Sequence, residues 1–338
     1  MRYSRIENLK AGVTIARPIL DEKGNVLLRE GNTLSPTVFN RIKNMEIQGL
    51  YIQDEVSKDI FVEDLIEYSL RLKAIKSLVD HNIHASIECA KQIVDELKKK
   101  ESLQVNLIDI KNNENYTFKH SVAVCVYSII IGLSVGLNET QLDDLAVAAI
   151  LHDIGKFKLP IELLHKKEKL NHIEYEMIKK HPRLAYEELQ QYHEVTSVVR
   201  NTVLYHHENA DASGYYGVPA DKQTIYTKII HVADVFDALT SIRKYRKAFS
   251  PQEAIEYIMG NSGNMFDTEI VDIFTQKFPV YPIGLTVQLS NGEKAVIVTN
   301  EHNSLRPIIR LFSEKLNNPL IDLSDNKDYF NVTIQNVV

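Results

Sequence analysis

Apolar positions recur at helical spacing through the middle of the chain and form short β-like runs at its two ends. From about residue 104 to residue 279 the pattern indicates helices nearly throughout. The predicted helices cover residues 117–135, 139–151, 171–190, 194–205, 222–242, 250–259 and 267–278. The sequence therefore predicts a mainly α protein whose ends differ in character from its centre.

The first sixty residues predict a small mixed α/β module. VTIARPIL and NVLLREG are β-like runs on either side of DEKG, which is typical of a hairpin turn. Ser35 as N-cap and Pro36 at the first helical position predict a helix, and GLYIQ predicts a strand after it. One long helix over about residues 62–100 then connects this module to the helical centre and packs against it.

The last sixty residues predict an antiparallel β segment. TVQLSNGEKAVIVTN contains two β-rich runs around Asn291-Gly292, a strong hairpin signal. RPIIRLF and FNVTIQNVV add further strands. We therefore expect four parts: the module at 1–60, a helical connector at 61–103, the helical domain at 104–280 and the β segment at 281–338.

Composition narrows the functional class. Hydrophobic residues make up 44% of the 338 residues and charged residues 25%, which is ordinary for a globular protein with a core. We expect a cytoplasmic protein without membrane insertion, because the start lacks the pattern of a secretory signal and no apolar run approaches the length of a membrane span. Cys89 and Cys125 have no zinc or disulfide spacing. A net charge of −6 argues against a nucleic-acid polymer as partner.

Metal-type side chains are spread along the helical centre, each separated from the next by about one helix and its loop. AAILHDIGK ends an apolar helix in a His-Asp pair, and LYHHENAD contains a His doublet. Antiparallel helices can bring such sites to one place. The candidate ligands are His120, His152, Asp153, His181, His206, His207 and Asp234.

Few kinds of metal site fit this set of ligands. Imidazole and carboxylate donors without thiolate suit iron or manganese, and seven ligands suit two divalent ions with Asp153 as the natural bridge. Asp234 lies within an apolar helix, where a carboxylate is costly to bury unless a cation compensates it. Any one of these histidines alone is more often a packed residue, so the prediction depends on their joint occurrence.

Together, His120, the HDIGK stretch, His181, the HHE run at 206–208 and VADVFDALTS resemble the HD-GYP subfamily of the HD phosphohydrolases, over about residues 104–280. The resemblance implies an all-helical, metal-dependent hydrolase domain that acts on cyclic di-GMP, a bacterial second messenger. Carried over by position, it implies two metal sites that share Asp153: one with His120, His152 and Asp234, the other with His181, His206 and His207. Some family members place a third-metal glutamate where this chain has Tyr116, which favours two metals.

The resemblance also implies roles for residues outside the metal set. Lys156 matches a lysine that contacts the substrate phosphate, and Asp237 matches a carboxylate that supports the nucleophile, so Asp153, Lys156 and Asp237 are the candidate catalytic residues. Tyr215, Arg243 and Arg246 join Lys156 as candidate substrate-binding residues.

The chain departs from the family pattern around the signature loop. Tyr216 replaces the proline of Gly-Tyr-Pro, so the loop lacks a stiffening residue, and Ala210 and Lys244 replace a usual tryptophan and proline. His231 is also unusual; we expect it to be a packed core histidine rather than an outer ligand.

The function implied is hydrolysis of the 3′–5′ phosphodiester of cyclic di-GMP to linear pGpG, by a hydroxide that bridges the metals, with a second cleavage to GMP also open. The altered loop leaves two alternatives. One is a phosphodiesterase for cyclic GMP-AMP or a nucleotide monoester, and the other is a receptor that binds the dinucleotide with little turnover. The long connector helix permits a homodimer.

Overall fold

The computed structural model describes residues 1–20, 26–45, 47, 49–100, 103, 105, 116–164, 166, 168–241, 248–313 and 317–338. Its centre is helical and its two ends carry antiparallel strands, so the predicted architecture is confirmed. The helices are α1 (Pro36–Lys43), α2 (Tyr68–Val79), α3 (Ile83–Lys98), α4 (Tyr116–Val135), α5 (Glu139–Leu151), α6 (Ile161–Leu164), α7 (His172–Ile178), α8 (His181–Leu189), α9 (Ser197–Tyr205), α10 (Ile225–Thr240), α11 (Pro251–Gly260) and α12 (Thr268–Lys277).

Helix α4 is the central helix of the main core. It packs against α5, α10 and α12, and α3 packs against both α5 and α4. The apolar cluster around it runs from Leu65 to Phe278, so the connector helices share one core with the helical domain. The division of the chain into four parts remains our proposal.

The expectation that no segment has the length and apolarity of a membrane span was wrong for α4. Its stretch Thr117–Val135 is 19 residues long with a mean hydropathy of 1.7. It is apolar because it is a core helix: 72% of its most apolar window lies buried within the protein.

Two predicted helices are each divided in the structure. The stretch 62–100 forms α2 and α3, because His81 adopts a left-handed backbone conformation with φ of 52° and Asn82 caps a new helix. The stretch 171–190 forms α7 and α8, which meet just before Pro182. The predicted bounds of the other helices hold to within a few residues.

The N-terminal module contains two small sheets beside α1. Strands β1 (Arg2–Arg5), β5 (Gly49–Gln53) and β2 (Thr14–Ile15) form one antiparallel sheet in that order. Strands β3 (Ile19–Leu20) and β4 (Val26–Leu28) form the predicted hairpin, whose turn lies outside the described residues. Ser35 accepts the predicted capping bond from the Val38 N–H.

The C-terminal segment is one antiparallel sheet of five strands. The strands are β6 (Thr286–Leu289), β7 (Lys294–Thr299), β8 (Ile308–Leu311), β9 (Leu320–Asp322) and β10 (Ile334–Val337), arranged in the order β10-β6-β7-β8-β9. The predicted hairpin joins β6 to β7 and includes Gly292 at φ of 87°.

The two ends of the chain pack together, which the sequence did not predict. The Tyr3 N–H donates to the Gly284 carbonyl at 2.7 Å, and the Thr286 hydroxyl donates to the Tyr3 carbonyl at 2.5 Å. One apolar cluster combines Tyr3, Tyr51 and Val62 with the β6–β8 strands. The N-terminal strand β1 therefore stabilises the C-terminal sheet.

Candidate metal centre

The predicted ligands come from helix ends and from two helix interiors. His152 and His206 directly follow the C-termini of α5 and α9, and His181 is the first residue of α8. His120 lies in the second turn of α4 and Asp234 lies within α10. Because these five segments converge in the core, the whole set is buried except His207, whose side chain is 22% exposed.

Asp153 lies between the two halves of this set. Its Oδ1 is 3.2 Å from Nε2 of His181. Its Oδ2 is 3.5 Å from Nε2 of His152 and 3.8 Å from Nε2 of His120. One carboxylate therefore faces ligands on both sides, as a bridging ligand must.

The donor atoms form groups of the size that surrounds a metal ion. His120, His152 and Asp234 have donor atoms within 4.8 Å of one another, and so do His181, His206 and His207. His152, Asp153 and His206 form a third such group that links the first two. These groups coincide with the division into two sites that share Asp153.

Hydrogen bonds fix the orientation of the buried imidazoles. Nδ1 of His152, His181 and His206 donates to the carbonyl three residues earlier, at 2.7, 2.8 and 2.7 Å. Nε2 of each ring is left with its lone pair toward the other ligands. The 3.3 Å between Nε2 of His181 and Nε2 of His206 shows that two rings point to the same spot.

Asp237 acts on His120 from outside the ligand set. Its Oδ2 accepts from Nδ1 of His120 at 2.7 Å and from the Ser241 hydroxyl at 3.2 Å. Nε2 of His120 is 3.0 Å from Oδ1 of Asp234. This arrangement of carboxylate, histidine and ligand site is typical of metal centres, and it makes Asp237 a positioning residue for His120.

The electrostatics differ between the two halves of the set: they favour neutral rings at His181, His206 and His207, beside the ionised Asp153 carboxylate. Burial lowers the pKa of His120, but hydrogen bonds to Asp234 and Asp237 outweigh it and raise that pKa to about 9. Burial, then the neighbouring His207 and His152, hold the pKa of His206 well below its usual range. Burial raises the pKa of Asp153, but Lys156, His152 and His181 outweigh it and hold that pKa well below the ordinary value. Neutral imidazole and ionised carboxylate are the protonation states in which these groups bind metals.

The residues present fit a divalent metal. Among the residues that the structure describes, Nε2 of His152 and Oδ1 of Asp153 are buried without a hydrogen-bond partner. Such unpaired buried atoms are costly unless an ion or water satisfies them. Nitrogen and oxygen donors without sulfur suit iron or manganese better than soft metals.

Gly155 allows the turn that follows α5 to pack closely against α8. Residues Ile154–Lys158 form a 3-10 turn that packs directly on α8. A Cβ on Gly155 would lie 2.0 Å from the His181 carbonyl oxygen and 2.6 Å from the Ala185 nitrogen. This close approach places Lys156 beside the ligands, with Nζ 2.5 Å from Oδ2 of Asp153.

The Gly-Tyr-Tyr loop forms one wall of the centre. The Tyr215 ring packs on His207 with centroids 4.6 Å apart, and Nζ of Lys179 lies 5.3 Å from the Tyr215 centroid. Burial raises the pKa of Tyr215, which keeps its phenol neutral. The sequence did not indicate Lys179, since nothing in its local pattern marks it.

Glu208 anchors this loop despite the missing proline. Its carboxylate accepts from the Tyr216 N–H at 2.6 Å and from the Val218 N–H at 2.7 Å. Gly214 permits the approach, because a Cβ there would lie 2.5 Å from Cα of Glu208. Glu208 belongs to the HHE run of the sequence, but its role in anchoring the loop arises only from these contacts.

The remaining candidates divide into two cases. Arg243, Arg246 and Lys244 lie outside the described residues. His231 is packed, as expected: Nε2 donates to Oδ1 of Asn209 at 3.1 Å and the ring contacts Phe266, while burial lowers its pKa to about 4.

Comparison with known proteins gives one family and several relatives. The profile of the HD domain family matches residues 84–270, more than half of the chain. A cyclic di-GMP phosphodiesterase of Pseudomonas aeruginosa is 31% identical over 66% of this chain and 55% of its own length. A 3′3′-cGAMP-specific phosphodiesterase of Vibrio cholerae is 29% identical over 77% of this chain and 60% of its own length.

Among solved structures, an HDG"Y"P protein of Bdellovibrio bacteriovorus aligns with a TM-score of 0.49 at 17% identity, over 81% of this chain and 98% of that one. The chain spans little more than half the length of the two curated relatives.

Proposed function

Since this chain belongs to the HD domain family, we propose that it is a metal-dependent phosphodiesterase that hydrolyses a cyclic dinucleotide. The observation that carries this proposal is the pair of ligand groups that meet at Asp153. A two-part His/Asp centre of this kind suits cleavage of a phosphate ester.

We assign the ligands as the sequence indicates. His120, His152, Asp153 and Asp234 would hold one ion, and Asp153, His181, His206 and His207 the other, with iron or manganese as the metals. When bound, the two ions would supply Lewis acidity and an activated water. The protein's own contribution is to keep the rings oriented and screened from bulk water.

Lys156 is the proposed phosphate contact. Its Nζ reaches the centre beside Asp153, and a quarter of its side chain remains exposed toward solvent. A fixed cation there stabilises the charge that develops as water adds to phosphorus and the bond to the 3′ oxygen breaks. The 3′ oxygen leaves as an alcohol after taking up a proton.

Tyr215 is the proposed contact for a base of the substrate. Its ring borders the centre through His207, and Lys179 lies over it. Aromatic rings stack on nucleobases with little sequence preference. Arg243 and Arg246 remain proposed substrate contacts on the strength of the family resemblance.

We favour cyclic di-GMP as the substrate, with linear pGpG as the first product. The relative from Pseudomonas aeruginosa is named for this activity. The relative from Vibrio cholerae supports 3′3′-cGAMP as the second candidate. Tyr216 stands where the family has proline, and this difference in the loop allows a different base preference.

The test is anaerobic purification with metal counting, followed by chromatography of the products from each dinucleotide, with iron or manganese added separately. We expect about two metal ions per chain and linear product. Asp153→Ala should lose both the metal and the activity, because it removes the shared ligand. Asp221→Ala, at an exposed carboxylate before α10, should retain both.

Two results would count against the assignment. An Asp153→Ala protein that still cleaves would remove Asp153 from the centre. A wild-type protein that holds metal and binds the dinucleotide without cleaving it would favour the receptor function instead.

A further inference from the structure

A cavity of about 600 Å³ lies between the N-terminal module and the helical body. Its walls come from β5, from the segments around Arg17 and Ile60, and from α2, and Lys119 of α4 also lines it. This volume is typical of sites for small-molecule ligands. The residues that line the cavity do not include any of the candidate metal ligands.

The charged side chains of the cavity are mainly cationic. Four cationic residues and two carboxylates line it: Arg17, Lys58, Arg71, Lys119, Glu30 and Asp64. Arg17 and Asp64 pair at 2.7 Å and so neutralise each other. Lys58 pairs with Glu55 at 2.9 Å, so the hydrogen-bonding atoms on the walls, and not the number of charges, indicate the class of ligand.

Two buried polar atoms on these walls have no partner among the residues that the structure describes. They are the Tyr68 hydroxyl and Nε of Arg17. The Arg17 guanidinium is otherwise held in place, since Nη1 donates to Asp64 and Nη2 to the Val62 carbonyl. Buried donors without an acceptor are rare in folded proteins, and two on one cavity indicate an acceptor that a ligand would supply.

The rest of the lining is mostly apolar and includes the rings of Tyr51 and Phe61. The Arg17 guanidinium lies 4.9 Å from the Tyr51 ring centroid, and Ile19, Leu72 and Ile75 contribute aliphatic surface. A flat apolar group fits such a surface better than a fully hydrated ion does.

We propose that this cavity is a second ligand site, which binds a small organic anion with a flat apolar body. Its acidic group accepts from the Tyr68 hydroxyl and from Nε of Arg17, and its body packs on Tyr51 and α2. Because Lys119 directly precedes His120, an occupant contacts the helix that carries a candidate metal ligand. The proposal stands on the cavity alone and does not depend on the phosphodiesterase function.

The probe is anilinonaphthalenesulfonate, a fluorescent anion with a flat apolar body, titrated into the full chain. We expect one saturable site. Tyr68→Phe should weaken binding about fivefold to tenfold, the worth of one hydrogen bond, and Arg17→Gln by at least as much. Lys73→Gln is the matched control, because Lys73 lies on the same helix but donates to Gln92 of α3.

A second readout separates a ligand contact from a structural role. Without ligand, Tyr68→Phe should melt at the same temperature as the wild type or higher, because it removes a buried hydroxyl that has no partner. A lower melting temperature would show that the hydroxyl is satisfied within the protein and would overturn the proposal. Equal probe affinity in wild type and both variants would also overturn it.

The titration is repeated after the metal is removed by a chelator. Unchanged affinity is the expected result and separates the cavity from the metal centre. An affinity that follows the metal content would place the probe at the metal centre and contradict the proposal.

Discussion

At the scale of single residues, the candidate centre depends on what holds the far nitrogen of each imidazole. His152, His181 and His206 lie at helix ends, where the last carbonyls of the preceding helix have no intrahelical partner and are free to accept from Nδ1. His120 lies inside α4, where the carbonyls are engaged in the helix. It therefore requires a side-chain acceptor, and Asp237 supplies it.

Asp237→Asn should weaken the binding of metal at His120. The amide oxygen can still accept from His120, but it carries no charge, so the ring becomes a weaker ligand. We expect metal affinity, measured by competition with a chelator, to fall about 10- to 100-fold. Activity at limiting metal should fall with it and recover in part when metal is added in excess.

The matched control is Asp272→Asn, an exposed carboxylate on α12. It should leave metal affinity at the wild-type value. If Asp237→Asn bound metal as tightly as the control does, the charge of Asp237 would have no effect on His120 as a ligand.

At the scale of elements, the 3-10 turn Ile154–Lys158 sets the position of Lys156 relative to the ligands. Its contact with α8 is between backbone atoms at Gly155, so the neighbour cannot move aside by changing a rotamer. Any side chain at this position must separate the turn from α8, which also carries His181 at its first residue.

Gly155→Ala is therefore expected to lower the melting temperature and to reduce the metal content. Overpacking a tight site costs about 1–3 kcal/mol. Gly260→Ala is the control, because a Cβ at the end of α11 meets nothing within 4 Å. A Gly155→Ala protein that melts like the control and keeps its metal would show that the turn can move away from α8 without cost.

The elements also show how far sequence alone predicts this molecule. Periodicity located α4, α5, α11 and α12. The metal ligands could be proposed because the candidate side chains occur together, each separated from the next by about one helix and its loop. The break between α2 and α3 was missed because it depends on one positive-φ residue, His81. Glu208 and Lys179 were missed because their roles arise only from contacts with the loop around Tyr215 and Tyr216, which has no periodic pattern.

At the scale of the whole molecule, the two ends of the chain form one β-rich body on the helical core. Strand β1 pairs with β5, and Tyr3 is hydrogen-bonded through its backbone to the segment around β6. No local pattern could predict this, because the contacting residues are separated by nearly the full chain. The stability of the C-terminal sheet therefore depends on the first residues of the N-terminal module.

The pKa of Tyr3 offers a test of this junction at alkaline pH. Burial raises the Tyr3 pKa from 10.0 to about 12. The pKa is higher in the folded protein than in the unfolded chain, so the stabilisation is complete below pH 10 and is lost as the pH rises toward 12. Wild type should lose about 2 kcal/mol more than Tyr3→Phe over this range, measured as urea unfolding midpoints. Tyr257→Phe, at an exposed tyrosine on α11, is the control and should lose stability with pH as the wild type does. If the stability of Tyr3→Phe fell with pH in parallel with that control, Tyr3 would not be buried at the junction.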